Sequence, residues 1–309
     1  MELRQLKQFL AVVEHRNFGR AADALGVTQQ ALSYSVAQLE KSVGAKLLQR
    51  GQFGAELTES GLVLRDRAQL VAAELEIVRD EIDALRGGAK GHVRIGVAGF
   101  IADRLLPKAI NRFADRCAGV GVSVAVNHSK MLFQSLLTGD IDFAVTAPFE
   151  PIDHYTELKH EPGGRDFKFD LNFLCMRVGH PLARRRDPKL ADMRAFRWVM
   201  PATFASFQHR LLELFHHADV ASPDFILRTD SVGACKSLLL QSDFVALLGR
   251  EQIVLEAERR LLCGLPVPGL EGQVQGYFSY RKRFPLRPAA LRLLQVFRDV
   301  VQERSRTTS

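Results

Sequence analysis

A short predicted helix carries polar side chains that could contact the edges of DNA bases. The helix follows a tight turn, in which Gly26 permits the sharp bend of the backbone and Thr28 can cap the helix that comes next. One face carries an apolar stripe at steps of 4, 3 and 4: Leu32, Val36, Leu39 and Val43. The other face presents Gln29, Gln30, Ser33 and Tyr34. Short amide and hydroxyl groups suit the major groove, where Gln pairs well with adenine.

The neighbouring elements complete a winged helix-turn-helix. Apolar residues at helical spacing predict a first helix over residues 3–15, and residues 18–25 predict the helix before the turn. After the recognition helix, LLQRGQFGAELT predicts two short strands around residues 51–54, which form a hairpin wing. Arg50 and Thr28 are the expected contacts to the DNA backbone. On spacing alone, an ordinary helical hairpin with a solvated polar face explains the same residues, so this alternative stays open.

Residues 61–90 predict a long dimerising helix and a hinge. Apolar residues from 64 to 85 recur at alternating steps of 4 and 3, a strict heptad with no Pro or Gly before Gly87. Such a helix cannot bury its own apolar seam, so the sequence predicts a homodimer. Packing of this helix on its own C-terminal domain is the alternative. Apart from Ala68, the seam consists of Leu64, Val71, Leu75, Val78, Ile82 and Leu85.

From residue 91 onward, strands and helices alternate in the manner of a parallel α/β sheet. We predict two lobes, about 91–164 with 267–309 and about 165–266, with a ligand cleft between them. Helix N-termini at such a cleft offer free N–H groups that attract carboxylates. Ser129 and Ser231 are equally well explained as ordinary helix caps, and His128 as a solvated loop residue. The candidate ligand residues are Gly99, Phe100, His128, Ser129, Ala202, Thr203 and Ser231.

Composition places the chain among soluble globular proteins. It has 309 residues, of which 47% are hydrophobic and 25% charged, so two or three domains are expected. The net charge is +7, yet residues 1–62 hold 7 Lys or Arg against 6 Asp or Glu. Bulk charge therefore does not argue for DNA binding, and it fits an anionic ligand or a solubilising surface equally well. We expect a cytoplasmic location, because no apolar run resembles a signal peptide or a membrane span.

The sequence offers little support for catalysis. It contains no GxGxxG, Walker A, HExxH or nucleophile-elbow motif, so we predict no catalytic residues. The four cysteines lack metal-ligand spacing, and we expect reduced thiols with no metal and no cofactor. Two other function classes stay open beside a DNA-binding protein: an α/β enzyme and a cytoplasmic small-molecule receptor without DNA regulation.

Taken together, these segments resemble a LysR-type transcriptional regulator over the entire chain. The similarity is most specific in LRQLKQFLAVVEHRNFGRAADALGVTQQALSYSVAQLEKSVGAKLLQR and LTESG, and looser in RIGV, LLTGDIDFAV and GHPLA. It implies a winged helix-turn-helix over residues 1–60, a coiled-coil linker helix over 61–90, and a two-lobed periplasmic-binding-protein-like (type 2) α/β effector domain over 91–309. It also implies double-stranded operator DNA and a small-molecule effector, such as an organic acid, as partners. A homodimer or homotetramer is expected, contact with RNA polymerase stays open, and no membrane is involved.

Several positions depart from the family pattern. Gln30 stands where the family commonly has Pro, and Tyr34 where it has Arg or Lys, so the operator sequence of relatives is not transferable. Phe100 occupies a position where many members carry a Ser or Thr that binds a carboxylate, whereas Ser129 keeps the second hydroxyl. Peroxide-sensing members use a cysteine pair, and no cysteine lies between Cys175 and Cys235. Oxidation sensing is therefore not expected.

Overall fold

The computed structural model describes most of the chain as two compact units. The described residues are 1–51, 54–85, 91–148, 151–164, 167–170, 173–185, 188–201, 205–229, 231–270 and 272–307. By their contacts, Met1–His92 with Gln134–Ile141 form the first unit, and Val93–Phe133 with Asp142–Ser309 form the second. Within these described ranges, no helix is both long enough and apolar enough to span a membrane.

Three helices form the head of the first unit, as the sequence predicts: α1 (Leu3–His15), α2 (Phe18–Leu25) and α3 (Gln29–Val43). Gly26 ends α2 with φ at +64°, a left-handed conformation that glycine adopts without steric cost. Thr28 caps α3, because its Oγ1 accepts a hydrogen bond from the N–H of Ala31 at 3.2 Å. Leu32, Val36 and Leu39 are buried in the head core.

Val43 departs from the predicted apolar stripe. Its side chain is 41% exposed, although it continues the spacing of the buried residues before it. Val43 is the last residue of α3, and Gly44 reverses the chain in a left-handed conformation directly after it. The final turn of the helix therefore extends past the small head core, and the prediction that Val43 is buried was wrong.

The wing is an antiparallel hairpin of β1 (Leu48–Gly51) and β2 (Gly54–Leu57). The turn residues 52 and 53 lie outside the described residues. Gly54 has φ at +116°, and a Cβ built there would lie 2.2 Å from the carbonyl oxygen of Arg16. The next residue, Ala55, donates its N–H to that same oxygen at 2.9 Å. The wing is thus fixed against the end of α1.

Helix α4 (Glu59–Leu85) is the long helix that the heptad predicts. Its first turns belong to the head, because Ala68 is buried beside Leu6 and Phe9 and Leu64 packs against the same core. Farther along, the seam is open: Val71, Val78 and Ile82 are 44%, 48% and 44% exposed. Leu75 is half-buried, and the side chain of Leu85 lies outside the described residues.

The second unit contains nearly all of the α/β elements, because only His92 of β3 and residues 134–138 of α7 group with the first unit. Its strands are β3 (His92–Val97), β4 (Gly121–Val126), β5 (Phe143–Thr146), β6 (Leu158–Pro162), β7 (Lys168–Asp170), β8 (Phe173–Arg177), β9 (Arg197–Pro201), β10 (Asp224–Thr229), β11 (Val245–Leu248), β12 (Leu262–Pro266), β13 (Gln273–Gln275) and β14 (Tyr277–Arg281). Its helices are α5 (Gly99–Ala102), α6 (Leu105–Arg116), α7 (Ser129–Thr138), α8 (Leu190–Arg194), α9 (Ala205–His217), α10 (Val232–Gln241), α11 (Val254–Glu258) and α12 (Pro288–Thr307). A short 3-10 helix, Arg250–Gln252, precedes α11.

Two five-stranded sheets define two lobes. Lobe I has the strand order β4-β3-β5-β14-β6, and lobe II has the order β10-β9-β11-β8-β12. Between them in the chain, β7 and β13 pair as a separate antiparallel ribbon, which we call the hinge ribbon. In lobe I, α6 and α12 cover one face of the sheet and enclose an aromatic core that includes Phe113 and Phe297. In lobe II, Trp198 of β9 and Phe215 of α9 are fully buried in one core.

The sheets are mixed, whereas the sequence predicted parallel ones. Within lobe I, β3 and β5 are parallel, but β14 runs antiparallel to β5 and β6. Within lobe II, β9 is parallel to β10 and β11, but β8 runs antiparallel to β11 and β12. Because β8 and β14 each enter a lobe directly from the hinge ribbon, they arrive in the opposite direction to strands reached through crossover helices. The prediction of a parallel α/β sheet is therefore confirmed for β3 with β5 and for β9 with β10 and β11, and it was wrong for β8 and β14.

Candidate nucleic-acid interface and effector cleft

The outer face of α3 presents the four side chains predicted to contact bases. Gln29, Gln30, Ser33 and Tyr34 are all exposed, and Tyr34 is 68% exposed. Behind them, Leu32 and Leu39 have no exposed surface. The helix therefore has a fixed inner face and a polar outer face, which is the arrangement of a helix that enters the major groove.

Two residues were predicted to fix the register on the DNA backbone. Thr28 is exposed at the start of α3, where its hydroxyl caps the helix. Helix N-termini of this kind also bind phosphate, because their first N–H groups point outward. Arg50 lies in β1 opposite Ala55, and its side chain lies outside the described residues.

Glu40 is a positioning residue that the sequence analysis missed. Its Oε1 accepts the N–H of Leu47 at 2.9 Å and of Leu48 at 3.3 Å, and its Oε2 binds Lys46 Nζ at 2.6 Å. Burial raises the pKa of this carboxyl, but the bonds from Lys46, Leu47 and Leu48 outweigh burial and hold it below the ordinary value. The carboxylate thus ties the end of α3 to the wing.

A sequence signal for this role exists. Glu40 follows Val36 by four residues, so it falls on the buried face of α3 although it is charged. A carboxylate on a buried face requires hydrogen-bond donors from a neighbouring segment. That pattern, rather than the residue type alone, indicates a buried structural carboxylate.

In lobe I, three candidate ligand residues come together where β3 and β4 end. The N–H of Asn127 donates to the carbonyl of Val97 at 3.2 Å, so the two strand ends are adjacent. A Cβ built on Gly99 would lie 3.9 Å from Val126, beside the exposed His128 and the half-buried Ser129 that begins α7. Gly99, His128 and Ser129 therefore share one edge of the sheet.

Phe100 faces the protein interior. Its side chain is 6% exposed and packs edge-on against Phe169 of the hinge ribbon, with ring centroids 5.1 Å apart. Phe169 in turn contacts Phe167 in the same manner. The ring fills the region between lobe I and the hinge ribbon. Contact of Phe100 with a ligand stays a prediction.

The lobe II candidates are only partly described. Ala202 and Thr203 lie outside the described residues, directly after β9. Ser231 caps α10, because its Oγ accepts the N–H of Ala234 at 3.1 Å. Ser231 as a whole is exposed. It therefore performs a structural role whether or not it also touches a ligand.

The thiols of the second unit are suited to packing rather than chemistry. Burial raises the pKa of Cys175 far above its ordinary value, and burial also raises the pKa of Cys235 to about 11. A thiol with such a pKa is almost entirely protonated at neutral pH, and the thiolate is the reactive form. Across the part of the chain that the structure describes, no group of three or more His, Cys, Asp or Glu residues is placed to hold a metal ion.

Two family models match the chain. Residues 3–62 match the bacterial regulatory helix-turn-helix protein model of the lysR family, and residues 86–302 match the LysR substrate binding domain. The SDS degradation transcriptional activation protein of Pseudomonas sp. (strain ATCC 19151) is 30% identical over 286 residues, which cover 89% of this chain and 88% of that protein. The regulator GbpR of Rhizobium radiobacter is 29% identical over 80% of both chains.

Solved structures share the fold. CbnR, a LysR family transcriptional regulator, superimposes with a TM-score of 0.67 at 22% identity, over 97% of this chain and 99% of that chain. CbnR in complex with its target DNA gives a TM-score of 0.66 at 23% identity, over 97% and 100%. LysG of Corynebacterium glutamicum with its bound effector Arg gives 0.63 at 19% identity, over 98% and 99%. At these identities the similarity establishes the architecture alone.

Proposed function

The chain belongs to the LysR family of DNA-binding transcriptional regulators with an effector-binding domain, and we propose that paired α3 helices of a dimer read an operator in successive major grooves. The protein is a regulator and not an enzyme. The observation that carries the proposal is the exposed polar face of α3. Gln29, Gln30, Ser33 and Tyr34 would contact base edges, and Thr28 and Arg50 would contact the backbone.

The test is a footprint and affinity measurement on the DNA upstream of the gene that encodes the chain. Gln29→Ala removes an amide that can bind a base bidentately, a contact worth about 1 to 3 kcal/mol of discrimination. We expect operator affinity to fall while affinity for unrelated duplex DNA changes little. The ratio of the two dissociation constants is the measured quantity, at one fixed salt concentration.

Gln38→Ala is the matched control. Gln38 lies on the same helix, about 180° around its axis from Gln29 at about 100° per residue, and it is half-buried. This variant should keep the wild-type ratio. A Gln29→Ala protein with the wild-type ratio would contradict the assignment of Gln29 to base contact.

We also propose that a small, anionic effector, such as an organic acid, binds in the cleft of residues 91–309. Gly99, His128 and Ser129 would contribute from lobe I, and Ala202, Thr203 and Ser231 from lobe II. A ligand at 100 times its dissociation constant adds about 2.7 kcal/mol of stability. A thermal-shift screen of carboxylates should therefore find an acid that raises Tm by about 5 to 10 °C. A complete screen in which only neutral or cationic compounds stabilise the protein would contradict the anionic class.

The remaining proposals concern assembly and location. The open seam of α4 supports a homodimer, and the family suggests two such dimers in a homotetramer. Residues 1–60, 61–90 and 91–309 would act as the DNA-binding domain, the dimerising linker and a periplasmic-binding-protein-like effector domain. The protein would act in the cytoplasm, where its DNA is, and could contact RNA polymerase at its promoter. Mass measurement of the purified chain tests the assembly.

A further inference from the structure

An ion pair joins the two lobes beside Phe100. Arg104 follows α5 in lobe I, and its Nη1 donates to Oε2 of Glu251 at 3.1 Å. Glu251 belongs to the 3-10 helix of lobe II, which packs against α5. The Glu251 side chain is 8% exposed and the Arg104 side chain 40% exposed. A carboxylate this well buried depends on its cationic partner more than a surface carboxylate does.

A second charged contact lies next to the first. In lobe II, Lys236 Nζ binds Oε1 of Glu256 at 2.9 Å and the carbonyl of Gln252 at 3.1 Å. Asp103 of lobe I faces this pair. Burial raises the pKa of the Asp103 carboxyl, Lys236 opposes that rise and Glu256 reinforces it. The two lobes therefore meet through charges of both signs, contributed by Asp103 and Arg104 on one side.

The segment that carries these charges also reaches the hinge ribbon and the candidate ligand site. Gly99 begins it, at the strand edge that holds His128 and Ser129. Phe100 packs on Phe169 of the hinge ribbon, and the 3-10 helix of lobe II packs against the same ribbon. The six residues 99–104 thus reach the strand edge that holds His128 and Ser129, the hinge ribbon and the opposite lobe.

We propose that the segment 99–104 is the element through which an effector controls the angle between the lobes, with Arg104 as the positioning residue that transmits its movement to Glu251. This inference rests on the proposed function, because it concerns how an effector bound in the proposed cleft acts on the two lobes. A ligand can shift the lobes only if it binds one lobe arrangement more tightly than the other. The ion pair between Arg104 and Glu251 stabilises the lobe arrangement of this structure. An effector would shift the lobes against that stabilisation.

A charge swap in the full-length chain tests the proposal. Arg104→Glu and Glu251→Arg each place like charges together, and the double variant restores an opposite pair. We expect each single variant to raise hydrogen exchange in the hinge strands β7 and β13 by about tenfold or more. We also expect the dissociation constant for the operator to change by about fivefold or more, the lower end of typical allosteric coupling. The double variant should recover both values.

The matched control is Arg112→Glu. Arg112 binds Glu303 with both Nη atoms at 2.8 and 2.7 Å, but both residues lie in lobe I. This variant should leave hinge exchange and operator affinity unchanged. Exchange in β3 and β5 of lobe I and in β8 and β11 of lobe II reports whether a variant folds. If a single reversal unfolds either lobe, the milder Glu251→Gln replaces it in the comparison.

Several outcomes would overturn the inference. Wild-type exchange and operator affinity in the single variants would show that the ion pair does not set the lobe angle. A double variant that stays as altered as the single ones would show a local structural defect instead. If the wild-type chain prefers no duplex, the proposed function fails, and hinge exchange still decides the inference separately.

Discussion

At the residue scale, Asp142 balances a buried arginine in lobe I. Nη2 of Arg287 donates to both carboxylate oxygens of Asp142 at 2.9 and 2.7 Å, and the N–H of Arg94 donates to one of them at 2.7 Å. The side chains of Asp142 and Arg287 are 5% and 8% exposed. Buried ion pairs are weak sources of net stability, but breaking one leaves an uncompensated charge.

Asp142→Asn should therefore be strongly destabilising. The amide removes the negative charge and leaves the Arg287 guanidinium without this carboxylate, which costs about 3 to 5 kcal/mol. At about 2 to 4 °C per kcal/mol, the thermal midpoint of the second unit, followed by circular dichroism, should fall by about 10 °C. The double variant Asp142→Leu with Arg287→Met should lose much less. A single variant as stable as wild type would contradict this account.

Ion pairs of this kind could not be predicted from the sequence. Asp142 stands in LLTGDIDFAV, which indicates a strand, but Arg287 lies 145 positions away and nothing local links the two residues. Phe100 is similar: its position after β3 was predicted, yet its contact with Phe169 depends on how the hinge ribbon folds back. Glu40 is different, because its place on a buried helix face could have revealed it.

At the element scale, Glu40 connects α3 to the wing through hydrogen bonds. Its carboxylate satisfies the N–H groups of Leu47 and Leu48, which lead into β1. These bonds orient the wing relative to the recognition face without touching DNA. A change at Glu40 should therefore alter operator binding through the geometry of the head.

The depressed pKa of Glu40 predicts an acid-sensitive head. A carboxyl with a folded pKa below its ordinary 4.5 contributes stability that is present above 4.5 and is lost as the pH falls through the folded value. Glu40→Gln, which cannot titrate, should be less stable at pH 7 by about 1.5 to 3 kcal/mol and should lose less on acidification. Hydrogen exchange at Leu47 and Leu48, corrected for intrinsic rates, measures both effects. If the stability of the wild type and that of Glu40→Gln depend equally on pH, the assigned role of the Glu40 carboxylate is contradicted.

Most elements could be predicted from the sequence because their signals are local. Helices α1, α3 and α4 follow from apolar spacing, and the wing follows from short extended runs around glycine. Strands β6, with sequence LKHEP, and β12, with sequence LCGLP, carry no such signal, because they contain proline and lack alternating apolar residues. They pair through their backbones with strands distant in sequence, and no local periodicity encodes that pairing.

At the scale of the whole molecule, we propose that the exposed seam of α4 is the surface through which two copies of the chain pair. Val71, Val78 and Ile82 are each more than two-fifths exposed along one stripe of the helix. A second copy of α4 would cover them, as heptad seams require. Pairing would also join two heads, so that an operator with two half-sites binds both at once. The second contact then gains from a high effective concentration.

Replacing Val78 and Ile82 together by Asp should separate the copies and weaken operator binding in one step. Two carboxylates in the seam would have to be buried beside their counterparts, which pairing cannot compensate. Val63→Asp is the matched control, because Val63 is 68% exposed on the same helix but outside the seam.

Sedimentation should give the wild type and the control at least twice the 34.5 kDa of one chain. The seam variant should sediment as one chain and bind a two-half-site operator about 100-fold or more weakly, yet bind a single half-site as the wild type does. A seam variant that keeps the wild-type mass would show that other surfaces hold the copies together, and a monomeric wild type would contradict the paired operator contact itself.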